Sequence, residues 1–186
     1  RKFLDAMVEL AGCERRKFKS ICSSIDKLDK EPWEKVRLEL INQKGLTPQM
    51  TDNLHKFVLL QDKPWALLKR LREEQVFAGH QLAEETLQEM ELLFSYCEAM
   101  GCLDHLWFDF SLARGLDYYT GLIYECVLTD GDRLGSIAGG GRYDNLIGMF
   151  SGKKIPAIGV SIGIERVFAL LEEKALKENN VRATST

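Results

Sequence analysis

One break in periodicity constrains this chain more than any other feature: near residue 104 its apolar residues change from helical spacing to alternation. Before the break, Phe3, Leu4, Met7, Val8 and Ala11 recur every three or four residues, and Gly12 is placed to stop that helix. Phe18, Ile21, Cys22, Ile25 and Leu28 continue the pattern. Pro32 fits a first helical turn, with Trp33, Val36, Leu40 and Ile41 on one side and Gly45 as a stop. Thr47-Pro48 and Asp62-Lys63-Pro64 read as two further helix starts. Leu82, Thr86, Leu87, Met90, Leu93, Phe94, Cys97 and Met100 form a long stripe ending at Gly101. After the break, Leu106–Leu112 is aromatic-rich and alternating, so it is predicted to be a strand. Gly121–Thr129 is predicted as a second strand. Asp130-Gly131-Asp132 signals a turn into Gly135–Ala138, giving an antiparallel hairpin. Ala157–Ile162 follows as another strand, Ile164 to about Lys177 as a helix, and Asn179–Thr186 as a polar tail. The expected class is α+β: an antiparallel sheet with flanking helices, plus an all-helical region of about 100 residues.

Composition removes several alternatives. Forty-five per cent hydrophobic and 28% charged residues are ordinary for a soluble globular chain. No apolar run approaches the roughly 18 residues that a membrane helix needs, and Arg1 does not open a signal peptide. The chain does not begin with Met, so the expectation is a processed chain or a piece of a longer one. Its five cysteines lack regular spacing, which argues against a disulfide scaffold and fits a reducing compartment. Cys97, Cys102 and His105 lie close in sequence, but their spacing is not that of a zinc site and no fourth ligand is near, so no protein-bound metal is expected. Charge is uneven. Residues 1–75 carry 16 Lys and Arg against 12 Asp and Glu, whereas residues 76–113 carry none against seven. The basic segment could face a polyanion such as RNA, or be a solvated helical face.

Three stretches in the second half carry chemistry. Arg114-Gly115-Leu116-Asp117-Tyr118-Tyr119-Thr120-Gly121 sets an arginine fork and two tyrosine faces between glycines. Such a fork suits phosphate or carboxylate; a decorated turn with Arg114 and Asp117 paired is the plainer alternative. Gly139-Gly140-Gly141-Arg142-Tyr143-Asp144 leaves bare backbone after a strand. It is neither a P-loop nor a dinucleotide fingerprint. Gly159-Val160-Ser161-Ile162-Gly163-Ile164-Glu165-Arg166 runs from strand to helix and matches the G-x-S-x-G nucleophile elbow of hydrolases. That reading fails on partners. The hydrolase histidine follows its serine in the chain, and His55, His80 and His105 all precede Ser161.

Together and in this order, the three stretches resemble the histidyl-tRNA synthetases. Arg114–Gly121 looks like that family's first histidine motif, Gly139–Asp144 like its second, and Gly159–Arg166 like motif 3 of class II aminoacyl-tRNA synthetases. Ile21-Cys22-Ser23-Ser24-Ile25-Asp26-Lys27-Leu28-Asp29-Lys30 resembles the eukaryotic branch. The resemblance implies a ligase that activates histidine with ATP, carrying Mg2+, to histidyl-adenylate, and then passes histidine to its tRNA. It makes Arg114 the catalytic contact to the α-phosphate and the histidine carboxylate. Tyr118, Tyr119 and Tyr143 would contact the histidine side chain, and Gly139, Gly140 and Gly141 would leave room for it. Arg166 would pack on adenine and reach the γ-phosphate, with Glu165 and Gly163 beside it. Ser161 is then a small residue at a tight turn.

The resemblance also implies an organisation. Residues 1–19 would belong to the catalytic core, 20–104 would form an insertion domain approaching the tRNA acceptor stem, 105–180 would complete the core, and 181–186 would be a disordered tail. Motifs 1 and 2 and the anticodon-binding domain have no counterpart here, so the resemblance implies a homodimer only for the longer protein and no activity for this stretch alone. A cytoplasmic location is expected, with a mitochondrial form as the other possibility. The competing reading is a non-catalytic relative: the regulatory subunit of ATP phosphoribosyltransferase or the synthetase-like domain of a stress kinase.

Overall fold

The computed structural model describes residues 1–113, 118–129, 135–153 and 155–184, without the side chains of 150, 151 and 178–184. Two compact units result, Arg1–Asp117 and Tyr118–Thr186.

The first unit is helical, as the spacing predicts. It contains α1 (Lys2–Leu10), α2 (Phe18–Ile25), α3 (Trp33–Asn42), α4 (Pro48–Val58), α5 (Pro64–Glu73) and α6 (Gln81–Ala99). Local chemistry sets the ends. Thr47 accepts a hydrogen bond from the Met50 amide at 3.2 Å and Pro48 takes the first helical position, so two start signals coincide in α4. At the head of α6 the cap is a histidine: His80 Nδ1 accepts from the Ala83 amide at 3.3 Å. Gly101, with φ +70°, ends the same helix.

The helices close around an aromatic cluster. Phe3 lies 5.2 Å from Phe77 and 5.0 Å from Phe110, ring centre to ring centre, and Phe94 meets Phe108 edge-on at 5.4 Å. Phe77 and Phe110 are almost fully buried. Burying a side chain of this size stabilises by roughly 1.5–3 kcal/mol, so the cluster is a main source of cohesion for this unit.

The expected strand Leu106–Leu112 is much shorter than predicted. Only β2 (Phe108–Asp109) pairs, antiparallel to β1 (Gln61–Asp62), with one further bond from the Phe110 amide to the Leu60 carbonyl at 3.0 Å. Two features stop it. Lys63-Pro64 turns β1 directly into α5, and Asp109 Oδ1 accepts from both the amide and the hydroxyl of Ser111 at 2.7 Å, which closes a turn. The alternating pattern is real at Phe108 and Phe110, which share the buried face, but it serves a corner of the core instead of a sheet.

The second unit is a three-stranded antiparallel sheet, ordered β3 (Ile123–Val127), β4 (Ser136–Arg142), β5 (Ile158–Ile162), with a short α7 (Gly148–Ser151) and a long α8 (Ile164–Thr184). The hairpin of β3 and β4 is the predicted one; its predicted turn, residues 130–132, lies outside the described residues. Two details differ from expectation. β4 does not end at Ala138 but runs through Gly139–Gly141 to Arg142, so the glycine run is the interior of the central strand and not a loop. α8 continues to Thr184, past Lys177 and into the expected tail; the run 164–184 contains neither Gly nor Pro, so no local signal stops it. Among the described residues no helix is long and apolar enough to cross a membrane.

Candidate active site

The site is built on the central strand. Gly140 pairs with Tyr124 on one side and Val160 on the other; Gly141 pairs with Ile123 and Gly159; Gly139 pairs with Glu125 and Ser161. Residues opposite one another share a face of the sheet, and neighbours along a strand alternate. Tyr124, Gly140 and Val160 therefore share one face, while Gly139, Gly141, Gly159 and Ser161 share the other. Two chain-distant motif stretches, Gly139–Arg142 and Gly159–Ile162, thus meet on adjacent strands.

Glycine is required at three of these positions by what stands against it. A Cβ on Gly141 would lie 2.5 Å from the Leu122 carbonyl oxygen and 2.8 Å from the Tyr119 ring. On Gly140 it would lie 1.9 Å from the Gly159 carbonyl oxygen and 2.8 Å from the Tyr124 hydroxyl. On Gly159 it would meet the Tyr143 hydroxyl at 2.2 Å. At Gly140 and Gly141 the space where a Cβ would lie is taken first by a backbone carbonyl oxygen and then by a tyrosine.

Those tyrosines form one group. Tyr119 is buried against Gly141. Tyr118 sits 4.7 Å from Tyr119 and 5.9 Å from Tyr143, nearly perpendicular to the latter, the edge-to-face arrangement that aromatic pairs favour. Tyr118 and Tyr143 are half-buried. Backbone bonds hold the group. The Thr120 amide donates to the Arg142 carbonyl at 2.8 Å, the Arg142 amide donates to Leu122, and the Tyr143 amide donates to Ala157. Thr120 Oγ1 accepts from the Asp144 amide at 3.1 Å. Arg142 Nε donates to both oxygens of Asp144, at 2.9 and 3.0 Å, and its stem covers Gly121. The described parts of the first two motifs are therefore laced together as an extension of the β3–β4 ladder.

The third motif joins through β5 and the start of α8. The Gly163 amide donates to the Ile137 carbonyl at 2.8 Å, and Arg166 Nη1 donates to the Ser136 carbonyl. Arg166 and Glu165 are both exposed on the first turn of the helix. A carboxylate there is favoured by the helix macrodipole. Arg114 lies outside the described residues.

Sequence reasoning passed over Tyr124. Its hydroxyl donates to the Gly159 carbonyl at 2.6 Å, bridging from β3 across the central strand to β5. An aromatic residue on a strand that pairs with a glycine strand was the available signal, because a cross-strand glycine leaves its neighbour space to fill. Among the described residues no group of three His, Cys, Asp or Glu side chains is placed to hold a metal ion.

Known proteins share this arrangement. A family model described as histidyl-tRNA synthetase matches residues 2–167. The cytoplasmic histidine–tRNA ligase of Dictyostelium discoideum is 52% identical over 187 residues, covering all of this chain and 39% of that protein. The mitochondrial histidine–tRNA ligase of Homo sapiens is 42% identical, again over all of this chain and 39% of that one. The crystal structure of histidyl-tRNA synthetase from Nostoc sp. PCC 7120 superposes with a TM-score of 0.83 and 33% identity, covering 94% of this chain and 41% of its own. The chain spans about two fifths of the length of these relatives. With the family model matching residues 2–167 and relatives matching along the whole chain, the chain belongs to the histidyl-tRNA synthetase family.

Proposed function

We propose that this chain supplies part of the active site of a histidine–tRNA ligase. The observation that supports this best is that the second and third motifs lie on adjacent strands while the described end of the first, Tyr118–Gly121, packs against the second, with Tyr118, Tyr119 and Tyr143 in ring contact. The ligase names of relatives matched along the whole chain favour this reading over a non-catalytic regulatory relative.

In the proposed reaction an oxygen of the histidine carboxylate attacks the α-phosphorus of ATP, the bond to the leaving pyrophosphate breaks, and histidyl-adenylate forms. A hydroxyl of the tRNA then attacks the histidyl carbonyl, the bond to the adenylate phosphate breaks, and AMP leaves as histidine passes to the tRNA. Arg114 is assigned to the α-phosphate and the carboxylate, where a fixed guanidinium stabilises charge as it grows. Tyr119, with Tyr118 and Tyr143, is assigned to the histidine side chain, with Gly139, Gly140 and Gly141 beside it and Gly141 packed against the Tyr119 ring. Arg166 is assigned to the adenine face and γ-phosphate, with Glu165 and Gly163 beside it; a guanidinium on an aromatic ring is a favourable contact. Mg2+ would enter with the triphosphate. The described residues offer no cluster to hold it themselves, and no step here runs through it.

The same reading assigns residues 1–19 and 105–180 to the catalytic core and 20–104 to an insertion meeting the tRNA acceptor stem, within a homodimer of the longer protein. A cytoplasmic location is proposed with a mitochondrial one as the alternative, since ligases named for either compartment match the whole chain.

Tyr119→Phe in the full-length protein tests the side-chain assignment. A lost hydrogen bond to the ring should raise the KM for histidine several-fold, about 0.5–1.5 kcal/mol, with kcat and the KM for ATP little changed. Equal loss with both substrates would make Tyr119 a packing residue only.

A further inference from the structure

Cys97 and Cys102 flank the turn that ends α6, and the proposed chemistry uses neither. The Cys102 amide donates to the Cys97 carbonyl at 3.0 Å and the Gly101 amide to the Glu98 carbonyl at 2.9 Å. With Gly101 at φ +70°, this is the helix closure that brings the side chains on either side of the turn into contact. The Cys102 thiol lies inside it, donating to the same Cys97 carbonyl at 3.3 Å. Standard covalent lengths across one such bond keep the two Cα atoms within roughly 7 Å. A disulfide spans about 4.4–6.8 Å between Cα atoms. Both thiols are half-buried, whereas Cys13 and Cys22 are buried and Cys126 is exposed.

We propose that Cys97 and Cys102 form a redox-active dithiol that closes to an intramolecular disulfide when a small disulfide oxidant, such as oxidised glutathione, is available. One cysteine thiolate attacks the oxidant's S–S bond, making a mixed disulfide and releasing one glutathione thiol. The second thiolate attacks the protein sulfur of that mixed disulfide, closes the 97–102 bond and releases the second glutathione. The pair gives up two electrons and two protons, and the oxidant takes up both.

The environment sets the character of the pair. Burial and the adjoining Cys102 thiol push the Cys97 thiol above its ordinary value, and the negative end of α6 opposes an anion at the same place. The thiolate is the attacking species, so closure is slow at neutral pH. With the Cys97 anion disfavoured, the reduced form gains no stability from a thiolate at that position. Closure locks the turn that ends α6.

The test is thiol mapping of the 186-residue chain after incubation in glutathione redox buffers, acid quenching and alkylation. In mass spectra the peptide holding both cysteines should lose two hydrogens and carry no glutathione, while Cys126 takes a glutathione adduct. The initial closure rate should rise about tenfold per pH unit through neutrality, following the thiolate fraction. Cys97→Ser and Cys102→Ser should each leave the remaining cysteine glutathionylated. The proposal is overturned if Cys97 and Cys102 stay alkylatable, or both carry glutathione, in buffers that fully modify Cys126. The wild-type map alone decides this if a serine variant does not fold.

Discussion

At Gly141 the missing Cβ has a definite use, because the Tyr119 ring occupies the space where it would lie and the Leu122 carbonyl oxygen closes the other side. Gly141→Ala is therefore not the mild change it would be on an open strand. Removing a glycine narrows the unfolded ensemble and stabilises by about 0.4–1 kcal/mol, but forcing a methyl into filled space costs about 1–3 kcal/mol. The second effect wins, since one obstacle is backbone and cannot rotate away. We expect a net loss near 1–2 kcal/mol in urea unfolding of the second unit, and displacement of Tyr119 seen as weaker histidine binding. Stability equal to wild type would show that the strand relaxes around the methyl. The sequence made these glycines conspicuous without disclosing what they accommodate. A glycine run signals close approach but does not name the neighbour, and the neighbours here, Tyr119, Tyr124 and the Gly159 carbonyl, arrive from other strands. Tyr124 was missed for the same reason.

Helices were legible because their signals are local. Thr47-Pro48, Pro64 and Gly101 each act within one turn, and the stripe of α1 is buried, whereas in α6 only Thr86, Leu87 and Phe94 of the predicted stripe are buried and Met100 at its end is exposed. The strand at Leu106–Leu112 was overextended because alternation reports which residues face the core and says nothing about how long a partner runs beside them; Asp109 and Pro64 end that pairing after two residues. The contact between α2 and α3 was not legible either. Its polar part is Glu39, which accepts from Ser24 at 2.8 Å and from Lys27, in the turn after α2, at 2.6 Å. The hydrogen bonds from Lys27 and then Ser24 hold the Glu39 carboxyl below the usual carboxylate range. A carboxyl depressed on folding contributes its stability fully above its unfolded value, near 4.3, and loses it as pH falls through the folded value. Glu39→Gln should therefore melt below wild type at pH 7, with the difference shrinking as pH drops below about 4. A difference in Tm that stays constant from pH 7 to pH 3 would show that the charge on Glu39 contributes nothing.

Across the whole molecule, the ordered trio of motifs could be read from the chain, and so could the change from helical to antiparallel structure near residue 104. The pairing of the second and third motifs on β4 and β5 needed the register, which sets Gly139 opposite Ser161 and Gly141 opposite Gly159. The central claim is that this gathered site activates histidine, with Arg114 aimed at the reacting phosphate. Charge there grows as the carboxylate attacks, so the guanidinium should favour the transition state over bound ATP. The most direct measurement is pre-steady-state formation of histidyl-adenylate by the full-length protein, with histidine and ATP varied separately, for wild type and Arg114→Ala. We predict that Arg114→Ala lowers the rate of adenylate formation by about a hundred- to a thousand-fold while ATP affinity changes far less, and that Arg114→Lys restores little, because a point charge lacks the bidentate fork. A wild-type rate with only the apparent affinities altered would contradict the account and leave Arg114 as a turn residue.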